Sequence, residues 1–557
     1  MRLLLAATVA TVTVAGLAAL RPAVLTDEEK AAAATVQEHR MRADIRFLSG
    51  DLLEGRGPAT RGDRLAQAYV ASRFEAIGLE PGAPDGTWLQ PFDLVAIDTR
   101  CPPVLRITHG GAETADLAFY EDYIATSGVQ AEVARIEEAE IVFVGYGIVA
   151  PEYQWDDFGN MDLRGKVLLI MNNDPEADPE LFEGKRRLYY GRWDYKYEMA
   201  ARQGAVGAII IHTAPSAGYG WSVVQNSWTG EQFGLPAEGE DAVQVQAWVT
   251  EDAARRLVRL GGHRLETLVS AAQRRDFSPV PLGVTTSLAL ENTVERRQSA
   301  NVIGRLPGSD PLVSREAVLY TAHHDHLGIK VNPEDGSAAI YSGALDNASG
   351  VATMLAIAEA FAHLPARPRR TILFASVGAE EQGLLGSEHL ARNPPVPAGR
   401  LAANINMDGM NIWGRTRDVA VVGLGKSTLD DWIRAIAEGQ GRTVRAEAFP
   451  DKGSYYRSDH FSLAKVGVPG AYIDAGTETA GKPEGWAREQ QEAWESAHYH
   501  QPSDDLTGEW DLSGAIEDAQ LLFFLGAKVA DAPTLPEWRP GDEFEPARKT
   551  ALAALEP

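Results

Sequence analysis

The sequence predicts an α/β fold: a central mixed, mostly parallel sheet flanked by helices, with a second α/β unit inserted into it. Two observations carry this. Between residues 316 and 393 the pattern runs strand, helix, strand, helix, as EAVLYTAH, ASGVATMLAIAEAFAHL, RTILFASV and LLGSEHLARN. Strands alternating with helices in this way build parallel sheets. From about Cys101 to Gly283 the pattern changes to short strands and turns, and the α/β alternation then resumes until about Ala532.

Length and composition set the outer bounds. A chain of 557 residues is too long for one core, so two domains are expected. Its 45% apolar and 23% charged residues are those of a globular protein. A net charge of -26 argues against nucleic acid and anionic membrane as partners, because the field repels phosphate. Cys101 is the single cysteine, which rules out an intramolecular disulfide and a cysteine-rich zinc site. A bound metal must therefore rest on histidine and carboxylate.

The chain in order gives five segments: an export signal at 1–20, a first part of the main domain at 36–98, the insertion at 99–283, the main domain at 284–532, and a tail at 533–557. A basic start, the charge-free run Leu3–Leu20 and small residues near Ala18 fit a cleaved secretory signal. The destination is then periplasmic or extracellular. An uncleaved membrane anchor is the alternative, since the run is just long enough to span. QEHRMRADIRFLSG and DRLAQAYVASRFEAIGL read as helices, the second with Leu65, Tyr69, Val70, Phe74 and Ile77 at helical spacing. Glu54 and Arg56 between them read as a capping loop held by ion pairs. Helix ASGVATMLAIAEAFAHL is expected to be amphipathic. Asp174 and Asp178 in the insertion read as solvated turn residues, and the Pro-rich tail as an ordered-then-frayed segment packed on the surface.

The residues that carry chemistry fall at strand ends, the edge where parallel sheets bind ligands. TAHHDHLG holds His323 and Asp325, GALDNASG holds Asp346, and GAEEQGLLGS holds Glu380 and Glu381. NMDG holds Asp408 and AHYHQPSDD holds His500. Zinc accepts imidazole nitrogen and carboxylate oxygen. Two ions roughly 3.5–4 Å apart need a carboxylate shared between them and separate terminal ligands. Asp346, short and in a tight turn, is the natural bridge. His323 and Asp408 would complete one ion, Glu381 and His500 the other. Glu380 is then free to act as general base, and Asp325 to accept the ring N–H of His323. His324 and His326 read as wall residues that the pattern does not need.

In this order, H-x-D, GALDNASG, GAEEQGLLGS, NMDG, SDH and YH, the chain resembles the co-catalytic zinc aminopeptidase family. That family also contains plasma glutamate carboxypeptidase, glutaminyl cyclase and the transferrin receptor. The resemblance runs from about Val36 to Ala532, and VFVGYGIVAPEY, GKVLLI and GAVGAIII look like the family's protease-associated insertion. It implies a zinc-exopeptidase-like fold and two zinc ions on His323, Asp346, Glu381, Asp408 and His500. It also implies Glu380 as base, Tyr499 as a group that stabilises the tetrahedral oxyanion, and a cis peptide after Asp346. The substrate it implies is a peptide with a free N terminus. A glutaminyl-cyclase-like acyl transferase with one zinc, a carboxypeptidase-type member and a catalytically inactive receptor-like protein are the alternatives.

Overall fold

The computed structural model describes residues 25–555 apart from 240 and 332–335, so the expected export signal lies outside the described residues. Helices α1 (Asp27–Ala33), α2 (Glu38–Leu48) and α3 (Arg61–Ile77) come first. Thr60 caps α3 by accepting the Asp63 N–H, and Gly78 ends it at φ 93. Val70 and Phe74 are fully buried, while Leu65, Tyr69 and Ile77 pack partly buried against the same core.

Strand β1 (Leu89–Arg100) leads into the insertion. There β2 (Val133–Phe143), β3 (Val167–Met171), β4 (Gly207–His212) and β5 (Val245–Thr250) run parallel to one another in the order β2-β3-β4-β5, with helix α4 (Trp193–Arg202) between β3 and β4. Continuous apolar runs such as VLLIM and GAIIIH suit strands covered on both faces.

The chain returns through β6 (Val280–Leu306), a strand of 27 residues. Its start pairs with the insertion strands Val104–His109 and β2, its middle with β1, and its end with the main sheet. Next come β7 (Ala317–His323), helix α5 (Gly350–Ala362), β8 (Thr371–Val377), β9 (Leu401–Asn406), β10 (Asp418–Val421), β11 (Thr443–Ala446) and β12 (Gly470–Asp474). In space the order is β6-β8-β7-β9-β12-β10-β11. The pairs β8–β7, β7–β9, β9–β12 and β10–β11 are parallel, and β6–β8 and β10–β12 antiparallel. This is the mixed, mostly parallel sheet that the sequence predicts. Helix α6 (Ser513–Asp531) covers one face and α7 (Glu545–Ala553) closes the described chain.

Two hydrophobic cores with no residue in common occupy the two units. One gathers Met41, Phe74, Val318, Leu355 and Phe523, the other Ile124, Phe143, Ile170, Ile210 and Trp248. The insertion is not separate from the main sheet, however. Strand β6 carries the hydrogen-bonded ladder from one unit into the other, so the boundary placed at residue 283 falls inside a strand. Between the cores the β1–β6 ribbon exposes Glu291, Thr293, Glu295, Arg296 and Gln298. Its residues on β1, Leu94, Val95, Ala96 and Ile97, are apolar and buried, so the ribbon is polar along β6 and covered along β1.

Four further expectations are corrected. Helix α5 is not amphipathic: Val351, Met354, Leu355, Ile357, Ala358 and Phe361 are buried around its circumference, between the sheet, α2 and α6. Asp174 is 2% exposed, not solvated. It accepts the Leu188 N–H at 3.1 Å beside the fully buried Lys196. The Lys196 ammonium donates to the carbonyls of Tyr146, Asn173 and Tyr190 at 2.7, 2.8 and 2.5 Å. Burial pushes the Asp174 carboxyl up and the Lys196 ammonium down. Arg56 is 1% exposed and donates to the carbonyls of His324 and Ser342 at 2.7 Å and Gly343 at 2.8 Å, and to that of Leu48. The tail is folded in: Trp538 and Phe544 are buried against Tyr455, Tyr456 and Phe461. Arg548 of α7 donates to the Leu401 carbonyl at 3.0 Å.

Trp538→Ala is therefore expected to cost roughly 3–5 kcal/mol, as for other buried aromatics. Chemical denaturation measures it, and an unchanged midpoint would return the tail to the surface.

Candidate metal centre

The turns after β7, β8 and β9 meet at one end of the main sheet. His323 is the last residue of β7 and is 1% exposed. Its Nε2 lies 3.2 Å from Asp346 Oδ1 and 3.2 Å from Asp408 Oδ1. On the other side of Asp346, His500 Nε2 lies 3.4 Å from Asp346 Oδ2 and 3.0 Å from Glu381 Oε2. Asp346 thus offers one oxygen to each side. Tetrahedral bonds of about 2.0–2.1 Å set neighbouring donor atoms roughly 3.3 Å apart, close to these separations.

Donor atoms of His323, Asp346 and Asp408 lie within 4.8 Å of one another, as do those of His326, Asp346 and Glu381. Asp346 is common to both groups. Two buried imidazole nitrogens here, His500 Nδ1 and His326 Nε2, have no hydrogen-bond partner. Burial pulls the His323 imidazole down, and Glu380, Asp346 and Asp408 more than reverse this, leaving it well above its ordinary value. Burial lifts the Glu380 carboxyl well above its ordinary value, with Asp408, Glu381 and Asp459 adding to the rise. Nearly dry carboxylates crowded among imidazoles are a donor set that a divalent cation fits.

The backbone behind the site is tied in several places. Asp346–Asn347 is cis. Asp504 accepts the Leu345 N–H at 2.8 Å and the Asp346 N–H at 3.1 Å. Asn347 Oδ1 accepts from Gly350 and Gly409, and its Nδ2 donates to Met407, joining the Asp346 turn to the Asp408 loop. A Cβ at Gly350 would stand 2.1 Å from Asn347 Oδ1, so only glycine fits. Ala379 and His500 adopt φ 56 and 55, a left-handed region rare for residues other than glycine and enriched at functional sites.

Two second-row residues behave differently from expectation. Asp325 does not take the ring N–H of His323 on its carboxylate, which lies 3.8 Å away; its backbone carbonyl is nearer, at 3.2 Å. The carboxylate instead accepts the N–H groups of Glu380 and Glu381 at 3.0 and 3.3 Å, fixing that turn. His326 is more than a wall: its Nδ1 lies 2.5 Å from Glu381 Oε1. His324 stays outside the cluster, bridging Asp63 at 3.1 Å and Ser376 at 3.0 Å. Asp504, Asn347 and Arg56 hold the site; the first two carried no signal in the sequence beyond proximity to the motifs, and Arg56 carried none.

Glu380 Oε2 lies 3.9 Å from His323 Nε2 and is 11% exposed. Tyr499 stacks on His500 with ring centroids 3.9 Å apart, and its hydroxyl accepts a hydrogen bond from Arg457 at 3.1 Å. Two cavities open on the cluster. One, about 220 Å³, is lined by Met410, Trp413, Phe449, Tyr472 and Trp494. The other, about 320 Å³, lies against the insertion and is lined by Arg192, Trp193, Tyr219, Trp228 and Phe233. Glu380, Glu381, Arg457, Tyr499 and His500 line both.

Residues 301–524 match Peptidase family M28. A probable zinc metalloprotease of Pyrenophora tritici-repentis is 48% identical over 66 residues, which cover 12% of this chain and 15% of that protein. Leupeptin-inactivating enzyme 1 of Streptomyces exfoliatus is 26% identical over 249 residues, 44% of this chain and 51% of its own. The chain thus spans about a seventh to a half of these relatives' lengths. The aminopeptidase of Aneurinibacillus sp. strain AM-1 superposes with a TM-score of 0.52 at 18% identity, over 92% of this chain and 97% of that one, a likeness of fold. The segment that matches Peptidase family M28 is the one that holds the donor cluster, His323, His326, Asp346, Glu381, Asp408 and His500.

Proposed function

We propose that the chain is a two-zinc aminopeptidase that removes N-terminal residues from peptides. The observation that carries this is the pair of donor groups sharing Asp346. His323 and Asp408 would hold one ion, Glu381 and His500 the other, with His326 beside Glu381. Two groups with a common carboxylate favour two ions over the single zinc of a cyclase. Zinc held there would polarise the scissile carbonyl and let water attack near neutral pH.

The chain's own residues supply the rest. Glu380 borders the cluster without belonging to either donor group, so it is placed to take the proton of the attacking water and return it to the leaving amine. Asp325 fixes Glu380 through its backbone N–H. The Tyr499 oxygen already accepts from Arg457, which leaves its O–H free to donate to the oxyanion. The cavity of Trp413, Phe449 and Trp494 offers apolar walls to the N-terminal side chain, and Asp474 and Glu495 offer carboxylates to its amine. Export is part of the proposal and rests on the Leu3–Leu20 run; among the described residues no helix is long and apolar enough to cross a membrane.

Turnover of aminoacyl-anilides by metal-loaded protein tests the activity. Glu380→Gln is expected to lower it by at least about 100-fold with metal content unchanged; full activity in that variant would remove Glu380 from its role. Chelation is expected to abolish turnover and lower the denaturation midpoint, because ions that bind only the folded state stabilise it. Metal analysis should then return two ions per chain, and one would favour the cyclase-like reading.

A further inference from the structure

The two cavities differ in charge. Around the cluster, the smaller one adds the carboxylates of Asp474 and Glu495, and its Lys452 is already paired with Glu495. The larger one adds only the cation Arg192 to the shared Glu380, Glu381 and Arg457. Arg192 is engaged by Asp194 at 3.2 Å. Among the described residues, Arg457 has no carboxylate within 4.0 Å.

Arg457 is partly buried and held in place. Its Nη2 donates to the Tyr499 hydroxyl at 3.1 Å, and its guanidinium stands 5.6 Å from the centre of the Tyr219 ring. Arg187 lines a small adjoining cavity of about 50 Å³ with Arg192 and Arg457. It donates to Asn173 at 3.0 Å and to the Ser216 carbonyl, so it cannot neutralise Arg457 and adds like charge beside it. A guanidinium has five N–H donors in a planar fork that matches a carboxylate. Here that fork borders both cavities, beside the Tyr499 hydroxyl.

We infer that Arg457 reads a carboxylate on the leaving side of the scissile bond, so that the preferred substrates are short peptides with a free C terminus. The inference rests on the aminopeptidase reading and names its substrate class. Arg457 Nη2 stands 3.1 Å from the Tyr499 hydroxyl, so with that hydroxyl at the scissile carbonyl the fork is within reach of a carboxylate on the next residues of the substrate. A residue spans roughly 3.3–3.6 Å when extended, so the terminal carboxylate of a dipeptide or tripeptide reaches it. Tyr219, Trp193 and Trp228 of the insertion wall this side, and the α-amine goes to the acidic cavity. The substrate's own dipole then sets its direction in the site.

The test uses metal-loaded full-length protein with Leu-Leu, its C-terminal amide, and Leu-Glu-amide. Turnover is measured on the natural sequence, and binding by calorimetry in a Glu380→Gln background. Leu-Leu is expected to exceed its amide at least about tenfold in both kcat/KM and affinity, the scale of a charge-assisted, bidentate contact. Adding Arg457→Gln should bring the ratio near one, and Arg457→Lys should restore part of it. If Leu-Glu-amide matches Leu-Leu and loses its advantage with Arg457, a side-chain carboxylate is read as well as a terminal one, and the assignment of Arg457 stands. Equal treatment of all three peptides, or a preference that survives Arg457→Gln, would overturn it. Failure of every peptide to turn over would instead sink the aminopeptidase reading, while the binding ratio would still decide the role of Arg457.

Discussion

The structure is built around an electrostatic constraint: the carboxylates of Asp346, Glu380, Glu381 and Asp408 share one nearly dry cavity. Such groups repel one another and lose solvation together, which is why burial heads the causes acting on Glu380. Imidazoles of His323, His326 and His500 interleave with them, and divalent ions would complete the neutralisation. Everything within reach is tied to fixed backbone. Asp504 grips the turn before the cis peptide, Asn347 links it to the Asp408 loop, Asp325 grips the Glu380–Glu381 turn, and Arg56 gathers carbonyls from Leu48, His324, Ser342 and Gly343. A buried charge is tolerated where its hydrogen bonds are satisfied, and Arg56 and Asp325 both meet that condition.

The insertion contributes through position. It has its own core, but β6 is common to both sheets, so its orientation is set by a continuous ladder. A second set of contacts fixes the other edge: the Arg187 N–H donates to the Pro450 carbonyl at 3.0 Å, and Tyr189 packs on Phe461 with ring centroids 5.1 Å apart. Two attachments far apart in sequence hold Tyr219, Trp193 and Trp228 over the side of the metal centre where a leaving peptide would exit. The Lys196 post inside the insertion serves the same end. It ties the loops that carry Tyr146, Asn173 and Tyr190, and these lie next to Arg187 and Arg192.

Much of this was legible in the sequence because it is local. Strand and helix positions follow from period and composition, and the strand ends of a parallel sheet are a fixed place to look for chemistry. His323, Asp346, Glu381, Asp408 and His500 could be named because motif order and residue type restrict which atoms can bind zinc. The outer ring was not legible. Arg56 resembles any arginine in a Gly-rich loop, and Asp174 any aspartate in a turn; only the chain packed over them reveals that they are buried. His326, the residue after Asp325, had no pattern to mark it, yet the bend after β7 turns it onto Glu381. The amphipathic reading of α5 failed because the helix is apolar on nearly every side, and its one small polar residue, Thr353, bonds back to the Ser349 carbonyl and is buried.

By itself, then, the amino-acid sequence determined the α/β class and the mostly parallel sheet, and it named His323, Asp346, Glu381, Asp408 and His500, which the fold gathers at one sheet end, since each depends on short-range periodicity or on ligand chemistry. Tertiary structure alone decided that one strand serves both units, that the tail belongs to the core, and that Arg457, bordering two cavities of different character, has no carboxylate within 4.0 Å among the described residues. Those features depend on which distant segments meet. Pairing across 100 or more residues leaves no local trace, because the energy that selects it comes from burial and hydrogen bonds that exist only once the chain has folded.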